Sequence, residues 1–460
     1  MPKQTHGVPV AALLAALALA SCSPDAGVAT ATAAPEPKQE PAPKAEAEPS
    51  AAGKQAEPID WRTAEAPLLR NHVQITARTQ FVRAGEAYFS PDSRWIIFQA
   101  VPAPQPGKEP EPYYSMYAAE LVRDARGKIT GMKPPVRLSE PGTANTCGFF
   151  HPQTWTTDLR YDFIFGSTRV PPAQQQKSGF QVQGRNYQWM FPEETDVMRG
   201  TLASVATKTI DAKKGAQGVV RTWEPYQVRP LFERPRYDAE CAYSPDGRFV
   251  VYSHVREEDG ERGRPDADIW IYDVAHQKHY PIIEQDGYDG GPFFSPDGRY
   301  ICYRSDRRGD DRLQLFVAEL NYVDGVPVGI KREHQITDDS NVNWAPFWHP
   351  SGKYLVYGTS EVGHHNYEIF AIEVDLDKPP AELRKRRITF ADGADILPVF
   401  NREGTLMMWT AQRGVKMQGE EKPSSQIWIA EVVPGGLDDP ERLFAGAGDP
   451  ASESQATEQQ

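Results

Sequence analysis

Phe293 to Asp306 reads FFSPDGRYICYRSD, a tight turn set between two stretches of strand-forming residues. In its Ser-Pro-Asp-Gly core, proline presets the backbone angle of the second turn position. Serine and aspartate bond nearby backbone groups, and glycine takes the left-handed angle leaving the turn. Such a unit joins two antiparallel strands, and the chain repeats it. YFSPDSRWIIFQA runs from Tyr88 to Ala100, AYSPDGRFVVYSH from Ala242 to His254, FWHPSGKYLVYGT from Phe347 to Thr359, and VFNREGTLMMWTA from Val399 to Ala411. A degraded sixth copy, FFHPQTWTTDLRYDFIFGST, occupies Phe149 to Thr168.

The stretch after each turn, such as RFVVYSH or KYLVYGT, is continuously apolar and aromatic, which suits a strand covered on both faces. A third strand follows: YSMYAAELV from Tyr114, DIWIYDV from Asp268, LQLFVAEL from Leu313, YEIFAIEVD from Tyr367 and QIWIAEV from Gln426. Shorter edge strands end at Phe232, Thr337 and Thr389. The turns start at Ser90, His151, Ser244, Ser295, His349 and Asn401, spaced by 61, 93, 51, 54 and 52 residues. Four strands at a period near 50 make one propeller blade, which cannot cover its own apolar faces and must stack on neighbours. The fold expected is therefore all-β, a six-bladed propeller of four-stranded antiparallel blades over 67–445. The long second spacing holds an insertion, RVPPAQQQKSGFQVQGRNYQWMFPEETD, after the second strand of blade two. Ring closure stays open at this level, because both HVQIT at His72 and ERLF at Glu441 can serve as an outermost strand.

The ends read differently. MPKQTHGVPVAALLAALALASC has a short polar start with Lys3 and an apolar run too short to span a bilayer, as in a secretory signal. Leu19-Ala20-Ser21-Cys22 resembles the lipobox of bacterial lipoproteins, in which the cysteine is acylated and becomes the mature N-terminus. The resemblance implies a signal peptide over 1–21, lipidation at Cys22, and a protein of the bacterial cell envelope. Ser23 after the cysteine implies the outer membrane, with the folded part facing the periplasm. Residues 22–58 are rich in Ala, Pro, Glu and Lys and carry almost no large apolar side chain, the composition of a disordered tether. As a coil, roughly 35 residues span about 30–35 Å. The polar tail over 446–460 is read as disordered too. Of the remaining cysteines, Cys147, Cys241 and Cys302 fall in or beside apolar strands as small buried hydrophobes, with a Cys147–Cys241 disulfide left open.

A formal charge of −13 argues against a nucleic-acid partner, whose phosphates need a basic surface, and suits cations or basic partners. In a propeller the innermost strand of every blade lines the central channel. Six residues before each turn start stand Ala84, Asn145, Asp238, Asp289, Asn343 and Asp395, with Glu86 and Glu240 two residues further on. Such a rim of carboxylates and amides suits an ammonium or guanidinium group, a hydrated cation, or an inserted basic peptide. Asp and Asn also cap tight turns before strands, and that reading weighs equally. The aromatic residues of the insertion, Phe180, Tyr187, Trp189 and Phe191, either fold over a mouth and present a partner surface or form a packing flap. Ser167, His254, Arg304, Ser305, Ser360 and Gln412, just after the second strands, are secondary candidates.

Enzymatic signatures are sparse. There is no Gly-x-Ser-x-Gly elbow and no His-Glu-x-x-His motif, and no cofactor motif is recognised. His364 and His365 are weak metal candidates, since adjacent residues of an extended segment point in opposite directions. His151 and His349 replace serine at turn starts and are read as structural.

The repeats resemble the Tol-type propeller repeat. TCGFFHP, YDAECAYSPDGR, YDGGPFFSPDGRYICYRSD, APFWHPSGKYLVYG and HNYEIFAIEVD together resemble exported TolB-like six-bladed propellers, over roughly Thr76 to Ala430. TolB also has an N-terminal α/β domain, and here the tether occupies that place. The resemblance implies a monomeric, lipid-anchored binding or scaffold module for an envelope protein, peptide or polymer. The alternative is a metal-dependent propeller enzyme acting on polysaccharide, similar to oligogalacturonate lyase, although that class has seven blades and a histidine-held metal.

Overall fold

The computed structural model describes residues 59–445 apart from 155–159, 174–180, 184–185, 189–190, 211–216, 257–259, 261–264 and 421. The signal segment, Cys22, the tether and the tail lie outside the described residues, as do Phe180 and Trp189. The chain divides after Glu57, and every element described belongs to the unit that begins at Pro58.

Six antiparallel sheets form the blades. From inner to outer strand, blade one comprises Phe81–Phe89, Trp95–Pro102, Ser115–Arg123, and two short edge pieces, Ile129–Met132 and Val136–Arg137. Blade two comprises Asn145–Phe150, Arg160–Ser167, Asp196–Ile210 and Gln217–Pro230. Blade three runs Asp238–Tyr243, Phe249–Val255, Ala267–Asp273, Lys278–Ile283, and blade four Asp289–Phe294, Tyr300–Ser305, Gln314–Val323, Val326–Gln335. Blade five runs Asn343–Trp348, Tyr354–Thr359, Glu368–Glu373, Lys385–Arg387. Blade six takes Asp395–Phe400, Leu406–Ala411 and Gln426–Val432 from the C-terminal end, and its fourth strand is Leu69–Gln74 from the N-terminal end. Neighbouring inner strands touch all the way round, including blade six against blade one.

The closure left open by the sequence is thus made by the segment containing His72. The ERLF stretch is instead helical, Pro440–Ala445. Proline at its first position and an Asp439 side chain accepting from Arg442 N at 3.2 Å are helix-start chemistry.

The turn that defines the repeat is built alike in three blades. Ser90, Ser244 and Ser295 each donate their hydroxyl to the aspartate two residues on at 2.6 Å. Each also accepts the N–H five residues on at 2.9–3.0 Å. Asn401 does the same work with its amide oxygen, accepting from Thr405 and Leu406. His349 is buried and stacked on Tyr354 with ring centroids 4.5 Å apart, and burial lowers its pKa to about 4, so it is a neutral packing residue.

Second strands, and the first halves of the third strands, are largely buried between blades; every residue of Phe249–Val255, for example, is buried. Each large apolar side chain so covered contributes about 1.5–3 kcal/mol, which is why the blades hold only as a stack. Cys147, Cys241 and Cys302 are free thiols, all buried, so the disulfide left open is not formed.

The hub is filled at one level. Tyr88 of blade one meets Phe149 of blade two at 5.5 Å, Phe293 of blade four at 5.7 Å and Phe347 of blade five at 6.4 Å between ring centroids. Phe293 and Phe347 are 5.1 Å apart. Blades one and four stand opposite each other in a ring of six, so a ring contact between them closes the channel. On the side away from the Ser-Pro-Asp-Gly turns, a cup remains open.

Candidate functional site: a one-mouthed cup at the hub

Every inner strand carries a bulge at the same place. The pairing register slips between Gly85 and Ala87, Thr146 and Phe149, Ala239 and Ala242, Gly290 and Phe293, Trp344 and Phe347, and Ile396 and Val399. In each, one residue has positive φ: Glu86 at 45°, Cys147 at 51°, Glu240 at 55°, Gly291 at 58°, Ala345 at 54° and Leu397 at 56°. Five of these six are not glycine, and each such residue costs roughly 1–2 kcal/mol of backbone strain. A bulge re-aims the side chain it carries. Glu86, Cys147, Glu240 and Leu397 accordingly line a cavity of about 710 Å³ above the aromatic plug.

Blade four departs from the others in a way that shapes the cup. At Gly291 any β-carbon would run into the Arg304 guanidinium, so the missing side chain is what lets Arg304 lie over the hub. Arg304 Nη2 donates to Glu240 Oε2 at 3.1 Å and to the Tyr288 hydroxyl at 2.6 Å, and its guanidinium lies 5.5 Å and 5.9 Å from the Tyr288 and Trp344 rings. Glu240 also accepts from Tyr288 at 2.7 Å, from Gly291 N at 2.6 Å and from Tyr237 at 3.5 Å. Burial by itself would lower the Arg304 pKa, but Tyr288, Glu240, Cys147 and Glu86 together raise it.

Glu86 stands across from this pair. It accepts from the Cys147 thiol at 2.8 Å, from Thr146 at 3.3 Å and from Tyr88 at 3.4 Å, and its own N–H donates to Thr410 of blade six at 3.0 Å. Burial raises the Glu86 pKa, against the opposing pull of Cys147 and Arg304. The Cys147 thiol is pushed up well above its usual value by burial and by Glu86 and Glu240, which makes it a hydrogen-bond donor and a poor nucleophile.

The mouth is formed by loops between second and third strands. Tyr113 and Tyr114, Pro172 and Pro192, His364 and His365, and Glu420 and Lys422 line it. Phe191 of the insertion packs on Tyr237 at 5.0 Å and on Tyr288 at 5.7 Å, reaching the cup wall. Tyr187 lies in a short hairpin strand, Asn186–Gln188, and Trp189 lies outside the described residues. Among the described residues no group of three or more His, Cys, Asp or Glu side chains is placed to hold a metal ion, His364 and His365 included.

The other sequence-derived rim positions divide sharply. Asn145 lines the cup, donating to Tyr114 O at 2.9 Å. Asp238, Asp289, Asn343 and Asp395 begin their inner strands but are buried inside their blades. Asp238 pairs with His254 at 2.8 Å and Asp289 with Arg307 at 2.8 Å. Asp395 pairs with Arg413, while Asn343 donates to Gln314 at 3.1 Å and Asp339 at 3.0 Å. Burial raises the Asp289 pKa to about 7 and pushes Asp238 and Asp395 up as well. The three aspartates tie the start of their blade's first strand to the second strand or the residues just past it, whereas Asn343 ties blade five to the third strand of blade four and to the loop between the two blades. Of the secondary positions, Gln412 lines the cup and Arg304 commands it. Ser167, Ser305 and Ser360 cap nearby backbone N–H groups. Tyr237, Tyr288, Trp344 and Gln99 were not singled out from sequence; the repeated Tyr-Asp at the entry of blades three and four was the available signal.

No family model matches the chain. An uncharacterised protein of Agrobacterium fabrum is 29% identical over 135 residues, which are 29% of this chain and 39% of that protein. Dipeptidyl-peptidase 5 of Porphyromonas gingivalis is 34% identical over 116 residues, 23% of this chain and 16% of that one. The chain thus spans well under half the length of these relatives. Among solved structures, a protein assigned as TolB from Agrobacterium tumefaciens superposes over 76% of this chain and 90% of its own, with 16% identity and a TM-score of 0.41. An oligogalacturonate lyase in complex with manganese does so over 77% and 90%, with 13% identity and a TM-score of 0.37.

Proposed function

We propose that this protein is a binding or scaffold module of the bacterial envelope, which takes a segment of a protein or peptide partner into the hub cup. The observation that carries the reading is the closed hub. The plug of Tyr88, Phe149, Phe293 and Phe347 makes the channel a dead end, and the space above it is walled by strained, fixed polar groups with aromatic neighbours. A pocket of about 710 Å³ with a few convergent polar groups is the size and type that binds a small group or a chain segment. Backbone strain repeated at five of the six hub bulges marks the place where the fold gives up stability for geometry.

The leader-like segment and Cys22 supply the placement: lipidation there anchors the chain, and the residues up to 58 let the propeller stand clear of the headgroups. In the outer membrane, the propeller then faces the periplasm.

The test is affinity capture from an envelope extract, comparing wild type with Leu397→Trp, which fills the cup from its wall, and Arg299→Glu at an exposed position of the turn face. The partner is retained by wild type and R299E and lost by L397W. Capture of the same proteins by L397W overturns the reading.

A further inference from the structure

We infer that the cup is keyed to one primary ammonium group, received at Glu86 and Gln99. This rests on the binding reading above and specifies what enters the site.

The two carboxylates of the cup are in opposite states. Glu240 is already satisfied by a guanidinium, two phenols and a backbone N–H. Glu86 receives only neutral donors, a thiol and two hydroxyls, and has no ion-pair partner among the described residues. A half-buried carboxylate that no cation hydrogen-bonds is costly to keep ionised, and here burial raises its pKa against the pull of Arg304, which acts on it without direct contact. An arriving cation restores the ionised form.

Gln99 provides an independent sign. It sits on the second strand of blade one, opposite Gly85, and Glu86 is the extra residue of that bulge. Gln99 lines the cup, and its Oε1 is buried without a hydrogen-bond donor. A buried acceptor left unpaired costs about 1–3 kcal/mol and calls for a donor from outside. A carboxylate and an unmet amide oxygen on neighbouring strands of blade one, both on the cup lining, offer acceptors to a group that is all donor.

Shape selects among such groups. A guanidinium is planar and binds best between flat faces or against a forked carboxylate, the arrangement that Arg304 already occupies with Tyr288 and Trp344. The Glu86 side has one bulge-held carboxylate and one amide oxygen, which match the three divergent donors of a compact ammonium. The charge of −13 draws cationic partners toward the molecule. The ammonium can be a lysine side chain or a chain N-terminus, and these sources are separated by experiment.

The full-length protein is titrated calorimetrically with Nα-acetyl-lysine methylamide, glycinamide, Nα-acetyl-arginine methylamide and Nα-acetyl-norleucine methylamide. At least one ammonium compound binds one to one, roughly 10-fold or more tighter than the arginine and norleucine compounds, the size expected of a charge-assisted contact. Preference for the lysine compound assigns a side chain, and preference for glycinamide assigns an N-terminus. Glu86→Gln weakens that binding roughly 10-fold, and Gln99→Leu weakens it several-fold with a melting temperature that does not fall, because Gln99 Oε1 holds nothing in the empty cup. Equal binding of norleucine or arginine, undiminished binding to both variants, or no ammonium binding overturns the inference. If that happens while L397W still abolishes partner capture, the cup binds something else and only this inference falls.

Discussion

Replacing Arg304 with methionine tests whether the hub is a designed polar site resting on one buried charge pair. Methionine keeps most of the aliphatic stem and removes the guanidinium. Glu240, only 8% exposed, then keeps the Tyr288 hydroxyl and Gly291 N–H but loses its cation, and Trp344 loses the charge over its ring. Breaking a buried pair on one side costs about 3–5 kcal/mol. With an unfolding entropy of about 2.1 cal/mol/K per residue over roughly 390 folded residues, the melting temperature falls by about 4–6 °C. The informative comparison is with Glu240→Gln and the double variant, measured by calorimetry at neutral pH. In the double variant no charge is left unpaired, and the amide can still accept from Tyr288 and Gly291, so at least half of the loss returns. An R304M melting temperature within about 1 °C of wild type, or a double variant as unstable as R304M, refutes the pair as the support of the cup.

Three further outcomes are expected of the same structure. Asp289 has a folded pKa of about 7, raised by burial above the usual aspartate value, so its contribution to stability is present at pH 4 and lost as pH rises through 7. Asp289→Asn should flatten the fall in stability between pH 4 and 7, by on the order of 4 kcal/mol at most; an unchanged pH profile in urea unfolding contradicts this. Glu65, buried in the N-terminal helix Trp61–Glu65, bonds Arg413 at 2.9 Å, His72 at 2.8 Å and Phe390 N at 2.9 Å. Glu65→Ala should cost about 3–5 kcal/mol and speed hydrogen exchange at Ile75 and Ile427, whose amides hold the closing strand; unaltered exchange there refutes Glu65 as a support of ring closure. Cys147, Cys241 and Cys302 should not react with a thiol reagent in the native protein and should all react after denaturation, whereas a native disulfide among them contradicts the buried free thiols.

The fold was legible because its signal is local. Ser244, Asp246 and Gly247 make their turn with one another and need no distant partner, so six copies announce six blades. Closure was ambiguous because two apolar segments had strand-like content; Asp439 and Pro440 decided for a helix in one, a signal present in the sequence but easily outweighed by the count of blades. The site was legible in part. Asp238 and Glu240 are two apart, and alternation alone puts them on one face of a strand. The positive φ at Glu240 breaks that alternation, leaving Asp238 on His254 inside the blade and turning Glu240 into the cup. The equivalent bulge in blade one turns Glu86, named with Glu240 from the sequence, into the cup as well, and the one in blade two hides Cys147 from any period-of-two reading. Arg304 was visible as a polar residue at a strand end, but its partner lies 64 positions away, across a blade boundary. Gln99 offered no pattern at all, since its meaning is an unmet acceptor that only packing creates.

The measurement that bears most directly on the hub as a binding site is photocrosslinking in the source bacterium, with a photoreactive phenylalanine analogue placed at position 397 in the cup wall or at position 299 on the turn face. The account predicts a discrete adduct from position 397 that disappears when the cup is filled from the blade-two wall by Thr146→Arg, and none from position 299. Adducts from position 299 with none from position 397 would contradict it.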